Sequence, residues 1–261
     1  MSKFRKLELI PLTNIKDLNL DIVKNEVIEV ERSEEVDKAL KNILSYIKSN
    51  PNTTKIGNKV GTENYISTQI KASVNKKKIY TFPEPNPICI YYNIAIENLE
   101  QSYKLKNLIN NKSQNFNPLE DYDNFTKYFS FTSQGIIFLI TAIEGFINQF
   151  FKEDIEYIFN EELKTKKDLE FAKLDDKISN ILPIITGINF KEKNKDAYNK
   201  ILNTNSIRND LIHLKQIETD NNTNYQELFK KIIDFKHIEN SEAVFMFLNV
   251  IKPNYFKENV C

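Results

Sequence analysis

Hydrophobic residues recur at helical spacing over the C-terminal two thirds of the chain. The segment 88–111 carries Ile90, Ile94, Leu99 and Tyr103 at near-helical spacing, a pattern that predicts a helix. The strongest pattern predicts a helix over 127–152, and its apolar residues lie nearly all round the axis, so we expect it at the centre of a bundle. Its inward candidates are Phe131, Ile136, Ile140, Ile143 and Ile147.

Shorter helices are predicted around this central one. They cover 153–166, 168–182, 194–203, 206–218, 224–237 and 240–251, and a polar linker is expected at 111–124. Asn205 or Ser206 is predicted to cap the start of 206–218, because short polar side chains accept hydrogen bonds from the first free amides of a helix. His237 is expected at the end of 224–237, where a positive charge suits the helix dipole.

The first 84 residues show a mixed pattern. Alternating residues predict strands at 6–12 and 26–31, an amphipathic stretch predicts a helix at 33–50, and 49–59 reads as a loop. Three prolines in 76–87 mark a domain boundary. We therefore predict a mainly α protein, with a small α+β region at 1–84 and a helical bundle at 85–261.

Composition changes this picture little and indicates an ordinary soluble protein. The chain has 261 residues, of which 41% are hydrophobic and 28% charged. The longest apolar run, 135–147, is broken by Thr141 and Glu144, so no membrane span is expected. The first ten residues, MSKFRKLELI, lack the hydrophobic region of a signal peptide, so no secretory signal is expected. Two distant cysteines, Cys89 and Cys261, argue against a disulfide framework or a zinc site and fit the cytoplasm.

Charge and motif content exclude several function classes. The formal net charge is zero, which argues against a broad basic surface for nucleic acid but leaves room for a local phosphate site. Five glycines are too few for a dinucleotide or P-loop cradle, and neither a serine nucleophile elbow nor a His-Glu-x-x-His metal motif occurs. No metal or cofactor is expected. Arginine is rare, with three copies against 33 lysines. A retained arginine therefore suggests a need for its planar guanidinium, which donates two parallel hydrogen bonds where lysine cannot.

The segment NSIRNDLIHL (205–214) combines one of these arginines with one of two histidines. On a helix, Ile207, Leu211 and Leu214 form the stripe that faces the core, whereas Asn209 and His213 lie one turn apart on the polar side. Asn209 is thus expected to orient the imidazole. Arg208 points about 140° away from His213 around the axis, so a shared target requires a second copy of the helix opposite the first.

Such a set of side chains can perform phosphodiester transfer in RNA. Histidine has an ordinary pKa near neutrality and can take the proton of a ribose 2′-hydroxyl or protonate a leaving oxygen. A guanidinium can bind the phosphate with two hydrogen bonds and stabilise the charge of the transition state. No metal is required, and DNA lacks the attacking hydroxyl. The alternative from spacing alone is a solvent-facing histidine on an amphipathic helix.

Arg208-Asn209, three residues and then His213 resemble the Arg-polar-x-x-x-His signature of the HEPN superfamily (higher eukaryote and prokaryote nucleotide-binding domains). The segment ITAIEGFINQFF (140–151) also resembles the first core helix of bacterial members, with Glu144 and Asn148 at matching places. The resemblance covers about 127–255. It implies a bundle of four to six helices and a homodimer in which the two motifs meet at the interface.

The resemblance also implies an activity, namely metal-independent endoribonuclease, in a toxin or a phage-defence effector. Arg208 would bind the phosphate, His213 would be the acid and base, and Asn209 would position His213. Glu144 either holds Arg208 in place or is simply a polar residue of its helix. The implied partners are RNA and either a cognate antitoxin or a nucleotidyltransferase. Two alternatives stay open, a non-catalytic module that binds nucleotide or RNA and a helical adaptor.

Overall fold

The structure is a computed structural model of the 261-residue chain. It describes residues 4–7, 13–14, 55–60, 63–75, 78–83, 85–111, 118–153, 155–159, 162–213, 225–253, 255–256 and 258, and for 13–14, 55–60, 63–75, 78–83, 111 and 118–120 it describes the backbone alone. The predicted strand at 26–31 and the predicted helix at 33–50 lie outside the described residues, as does most of the strand expected at 6–12. Leu7 forms an isolated antiparallel bridge with Glu258.

The chain forms two compact units. One comprises Met1–Glu8 together with Pro87–Cys261, and the other comprises Leu9–Asn86. Helices predominate among the described residues of the first unit. The prediction of a mainly α protein is therefore confirmed.

The unit Leu9–Asn86 contains a four-stranded antiparallel sheet, formed by β1 (Thr13–Asn14), β2 (Lys55–Val60), β3 (Glu63–Asn75) and β4 (Lys78–Pro83). Ile66 in the first half of β3 lies opposite both Thr13 and Gly57, and the second half of β3 pairs with β4. The loop predicted over 49–59 is therefore wrong from Lys55 onwards. Lysine, asparagine and glycine have low strand propensity, and pairing with the long β3 overrides it.

Two long helices begin the helical part of the chain, α1 (Pro87–Asn111) and α2 (Pro118–Asn148). Each begins at a proline, which has no amide hydrogen to leave unpaired and already has a helical φ angle. The predicted linker at 111–124 is therefore helical from Pro118, nine positions before the predicted start at 127. The elements that follow are β5 (Tyr157–Phe159), β6 (Glu162–Lys164), α3 (Lys166–Glu170), α4 (Leu174–Asp176), a π-helix (Lys177–Ile181), α5 (Leu182–Thr186), α6 (Phe190–Lys193), α7 (Lys195–Ile212), α8 (Tyr225–Ile233) and α9 (His237–Ile251).

The core of the helical unit is built around α2. Ile136, Ile140, Ile143 and Ile147 are fully buried, as predicted, whereas Phe131 is half-buried. The helices α1, α7 and α9 pack against it. At Gly135 a Cβ atom would lie only 2.6 Å from the Leu99 side chain of α1, so the glycine allows the two longest helices to approach closely.

The segment after α2 differs most from prediction. The helix expected over 153–166 is a hairpin, in which β5 pairs with β6 and Ile158 lies opposite Leu163. Tyr157 and Phe159 pack against the core while Ile158 is exposed. This alternation is typical of a strand, and aromatic and β-branched residues favour strands. The helix expected over 168–182 is interrupted after Glu170 and continues through the π-helix.

The helix α7 is continuous where two helices were predicted. Its 18 residues run through Asn205 and Ser206, so the prediction that one of these caps a new helix is wrong. Ile201, Thr204 and Ile207 are buried on the face that packs into the core, and this burial outweighs the preference of asparagine and serine for helix ends. Leu211 is partly buried against the core, and Leu214 lies outside the described residues.

Among the described helices, α2 has the length and composition of a membrane-spanning segment over Asp121–Asn148. Its most apolar window is 50% buried within the protein. Core helices of soluble proteins share this length and composition, because a helix surrounded by other helices is apolar nearly all round.

Candidate active site

Arg208 and Glu144 meet where α7 packs against α2. Nη2 of Arg208 lies 3.5 Å from Oε2 of Glu144, and the two side chains are 22% and 31% exposed. Nη1 of Arg208 donates a hydrogen bond to Oδ1 of Asn209 at 3.1 Å. The guanidinium is thus anchored on two sides while a part of it reaches solvent, and Glu144 lies where it can hold the arginine.

One turn further along α2, Asn148 contacts a buried lysine from the π-helix. Lys177 is 3% exposed, and its Nζ donates to Oδ1 of Asn148 at 3.1 Å and to the Glu170 carbonyl at 2.7 Å. Burial lowers the pKa of Lys177, and the nearby carboxylates of Glu144 and Glu170 oppose that shift. Glu144 therefore interacts with two cations, Arg208 directly and Lys177 at longer range.

The described residues have three buried side-chain polar atoms without hydrogen-bond partners, and all three lie on α2 and α7. They are Oγ of Ser133, Oδ1 of Asn205 and Nε of Arg208. An unpaired buried polar atom costs about 1–3 kcal/mol. Such atoms require an explanation, for example a water, an ion or a ligand. One of them belongs to the guanidinium for which we expect a phosphate.

His213 lies at the C-terminal end of α7. Its amide donates to the carbonyl of Asn209 at 2.9 Å, and its own backbone (φ −105°, ψ 55°) has left the helical conformation. The side chain is exposed. Within the described residues this backbone bond is the only hydrogen bond between Asn209 and His213, so the Asn209 amide contacts Arg208 and not the imidazole that we expected it to orient.

The position of the motif at the end of α7 determines the helix electrostatics that a phosphate would meet there. α7 begins at Lys195, three turns before Arg208, so the free amides of its first turn are remote from the motif. The last turn instead presents carbonyl oxygens with partial negative charge. Attraction of a phosphate to this end of the helix would therefore depend on side-chain cations, above all on Arg208.

One chain does not point Arg208 and His213 at the same place. The two residues are separated by about 7.5 Å along the axis and by about 140° around it. Arg208 faces α2, where Glu144 lies, while the His213 side chain is exposed at the helix end. The structure thus brings Arg208, Asn209 and Glu144 together and leaves His213 apart from them.

His237 occupies a closed site of a different kind. It is the first residue of α9 rather than the last of the preceding helix, so the predicted dipole contact is wrong. Its Nε2 is 2.9 Å from Oγ of Ser102, and the ring is 3% exposed. Burial and the nearby Lys106 lower the pKa of His237 to about 4. A neutral, hydrogen-bonded imidazole here serves the core.

Metal-ligand geometry is not found in the described part of the chain, where no three His, Cys, Asp or Glu side chains cluster closely enough to hold an ion. Asp175, one of a pair of adjacent acids, accepts a hydrogen bond from the Tyr198 hydroxyl. This contact gives the residue a structural partner.

Comparison with protein-family models, with curated proteins and with solved structures gives no match to this chain. The site must therefore be interpreted from its own residues. Lys177 is a member that the sequence pattern did not reveal, because nothing distinguishes one buried lysine among 33.

Proposed function

We propose that the protein is a metal-independent endoribonuclease of the HEPN type that acts as a homodimer. The observation that supports this most is the pair formed by Arg208 and Glu144, 3.5 Å apart. These residues come from the two separate segments that carry the resemblance, 64 positions apart in the sequence. Their meeting is what a shared site would require, and chance resemblance of two short segments would not predict it.

The chemistry assigned to the site is transfer of a phosphodiester. The ribose 2′-oxygen attacks the adjacent phosphorus while its proton passes to the imidazole of one His213. The bond to the 5′-oxygen breaks, and that oxygen takes a proton from a second imidazolium, leaving a 2′,3′-cyclic phosphate and a 5′-hydroxyl. Arg208 binds the non-bridging oxygens and stabilises the charge that develops on them.

A second copy of the chain would bring together the Arg208 and His213 side chains that diverge on one helix. Two α7 helices that face one another would supply two histidines and two arginines to one cleft, so the residues that diverge on one helix converge across the interface. RNA is the proposed substrate, the cytoplasm the proposed location, and a cognate antitoxin or a nucleotidyltransferase the proposed regulatory partner.

A non-catalytic module that binds RNA is the second candidate. His213 lies at the carbonyl end of α7, apart from Arg208 on the same chain, which favours binding without cleavage. The intact Arg208 and His213 favour the enzyme.

Purified protein should cut single-stranded RNA in the presence of EDTA and leave a 2′,3′-cyclic phosphate. His213→Ala should slow cleavage by about 10²–10⁴-fold, and Arg208→Lys, which keeps the charge but loses the fork, by about 10²-fold. Arg5→Lys is the matched control, because Arg5 pairs with Glu242 at 3.2 Å, and it should cut as the parent does. Cleavage by His213→Ala at the parental rate would contradict the assignment.

A further inference from the structure

A second polar feature lies beside the proposed site, on the other side of α7. It is a cleft of about 560 Å³ lined by residues of α7, α8 and α9. Buried side chains of Ile207 and Phe235 contribute to its lining, and amides of Asn199, Asn203 and Asn240 are also exposed to it. Cavities of this volume accommodate small organic ligands.

Asn240 is the most informative residue of this cleft. It is 5% exposed, and its side-chain amide makes no hydrogen bond with any described residue, although it borders the cleft. A side-chain amide offers two donor hydrogens and an acceptor oxygen. The amide is thus available to a ligand with a donor and an acceptor side by side.

Charge at the rim of the cleft is mixed with a small positive excess. Four lysines and three carboxylates line it. Lys230 pairs with Glu227 at 2.7 Å and Lys200 with Glu239 at 3.4 Å, whereas Lys236 forms no ion pair with any described residue. A single unpaired lysine can bind one phosphate of a nucleic-acid strand. The three amides both donate and accept hydrogen bonds, so they match the edge of a base better than a cluster of phosphates.

The asparagines that α7 contributes to the cleft lie on the same side of this helix as His213. Asn199, Asn203 and His213 lie within about 80° of one another around α7, and Asn203 is about 15 Å from His213 along the axis. A strand of a few nucleotides covers such a distance. A nucleotide held in the cleft would therefore belong to the same strand as a phosphate presented to His213.

We propose that this cleft binds one nucleotide of a single-stranded RNA, with Asn240 contacting the base edge and Lys236 a phosphate. That this RNA is also the substrate rests on the proposed function. The subsite itself is inferred only from the cleft and its amides. Its role is to select and hold RNA a few nucleotides away from the bond that is cut.

Binding is measured separately from cleavage to test this subsite. The His213→Ala protein, which should cut far more slowly than the parent, is titrated in EDTA against a fluorescein-labelled, mixed-sequence RNA of about twelve nucleotides, with fluorescence anisotropy as readout. Asn240→Leu in that background should weaken binding by about fivefold or more, because it removes the amide at nearly constant volume. Asn110→Leu, an exposed asparagine on α1, is the matched control and should leave the affinity unchanged.

The outcomes separate the subsite from the proposed function. Equal affinity of the Asn240→Leu and control proteins, or no RNA binding at all, would overturn the subsite, whatever the parent cuts. RNA binding that depends on Asn240 in a parent that does not cut would support the subsite and refute the endoribonuclease. If Asn240→Leu fails to melt cooperatively, Asn203→Leu replaces it with the same expected loss. Adenosine monophosphate is titrated alone, and binding as tight as that of the RNA would overturn the assignment to a strand.

Discussion

The two histidines of this chain lie in opposite environments. His237 is buried, its Nε2 shares a hydrogen bond with Ser102, and its ring packs against Tyr128 and Phe235. His213 is exposed at the end of α7, the helix that also carries two of the three unpartnered buried polar atoms of the described residues. The comparison separates polar groups that the fold pairs for its own stability from polar groups that remain available to a ligand.

The difference has a physical cause in how each polar group is paired. Around His237 the hydroxyls of Ser102 and Thr132 and the carbonyl of Tyr128 satisfy one another inside the bundle. Such a network rigidifies a core only if it is complete. Around Arg208 the pairing is incomplete, since its guanidinium uses Nη1 and Nη2 but leaves Nε unpaired. Incomplete pairing is tolerated where a ligand supplies the missing partner.

The largest expected effect concerns the acid stability that His237 controls. Its pKa is about 4 in the folded protein, against about 6.5 when unfolded. Between these values the unfolded chain binds more protons, so the free energy of unfolding is highest above pH 6.5 and falls as the pH decreases towards 4. The loss from this one residue should be on the order of 3 kcal/mol. Urea unfolding at pH 7 and pH 4.5 measures it.

His237→Gln is the control for that loss, because glutamine keeps a hydrogen-bonding group and does not titrate. The variant should be less stable than the parent at pH 7, and the difference between the two should shrink at pH 4.5. If both proteins lost the same free energy of unfolding on acidification, His237 would not be the closed, neutral group described above.

Two serines provide a matched test of complete and incomplete pairing. Ser102 is fully buried, and its Oγ lies 2.9 Å from Nε2 of His237. Ser102→Ala should cost about 1–3 kcal/mol, because it leaves Nε2 only the longer, 3.4 Å contact with the Thr132 hydroxyl. Ser133 has a buried Oγ with no partner among the described residues. Ser133→Ala should therefore be neutral or stabilise by up to about 1 kcal/mol, helped by the helix propensity of alanine. Thermal and urea unfolding would expose the opposite pattern.

The strong hydrophobic periodicity made the long helices predictable, whereas the local preferences of single residues led to wrong helix boundaries. The buried face of α2 follows from the spacing of its isoleucines. On α1 the pattern is right but the face is shifted, since Tyr92 and Leu99 are buried while Ile90 and Ile94 are half-buried. Asn205 and Ser206 have the residue types of a cap, yet neighbouring buried residues keep α7 continuous.

The candidate site was predictable only where rare residues mark it. Arg208 and His213 stand out because the chain has three arginines and two histidines. Lys177 and Asn240 do not, because lysine and asparagine are abundant and their burial depends on how distant helices pack. α7 ends at Ile212, six positions before the end predicted for 206–218, because a sequence pattern places the ends of elements only to within a few residues.

The smallest effect on stability is expected from substitution of Glu144. This substitution is also the sharpest test of the region around Arg208, where the pairing of polar atoms is incomplete. Its contact with Arg208 is 3.5 Å long and partly exposed, so Glu144→Gln should change the free energy of unfolding by less than about 1 kcal/mol. Cleavage of RNA should nevertheless fall by about tenfold, because a guanidinium that has lost its anchor binds the phosphate less often in the productive orientation. Glu242→Gln removes a comparable partner from Arg5 and should leave cleavage unchanged. If Glu144→Gln cut RNA at the parental rate, the contact between Glu144 and Arg208 would have no role in cleavage. If the variant lost several kcal/mol of unfolding free energy, the polar groups around Arg208 would stabilise the fold as those around His237 do.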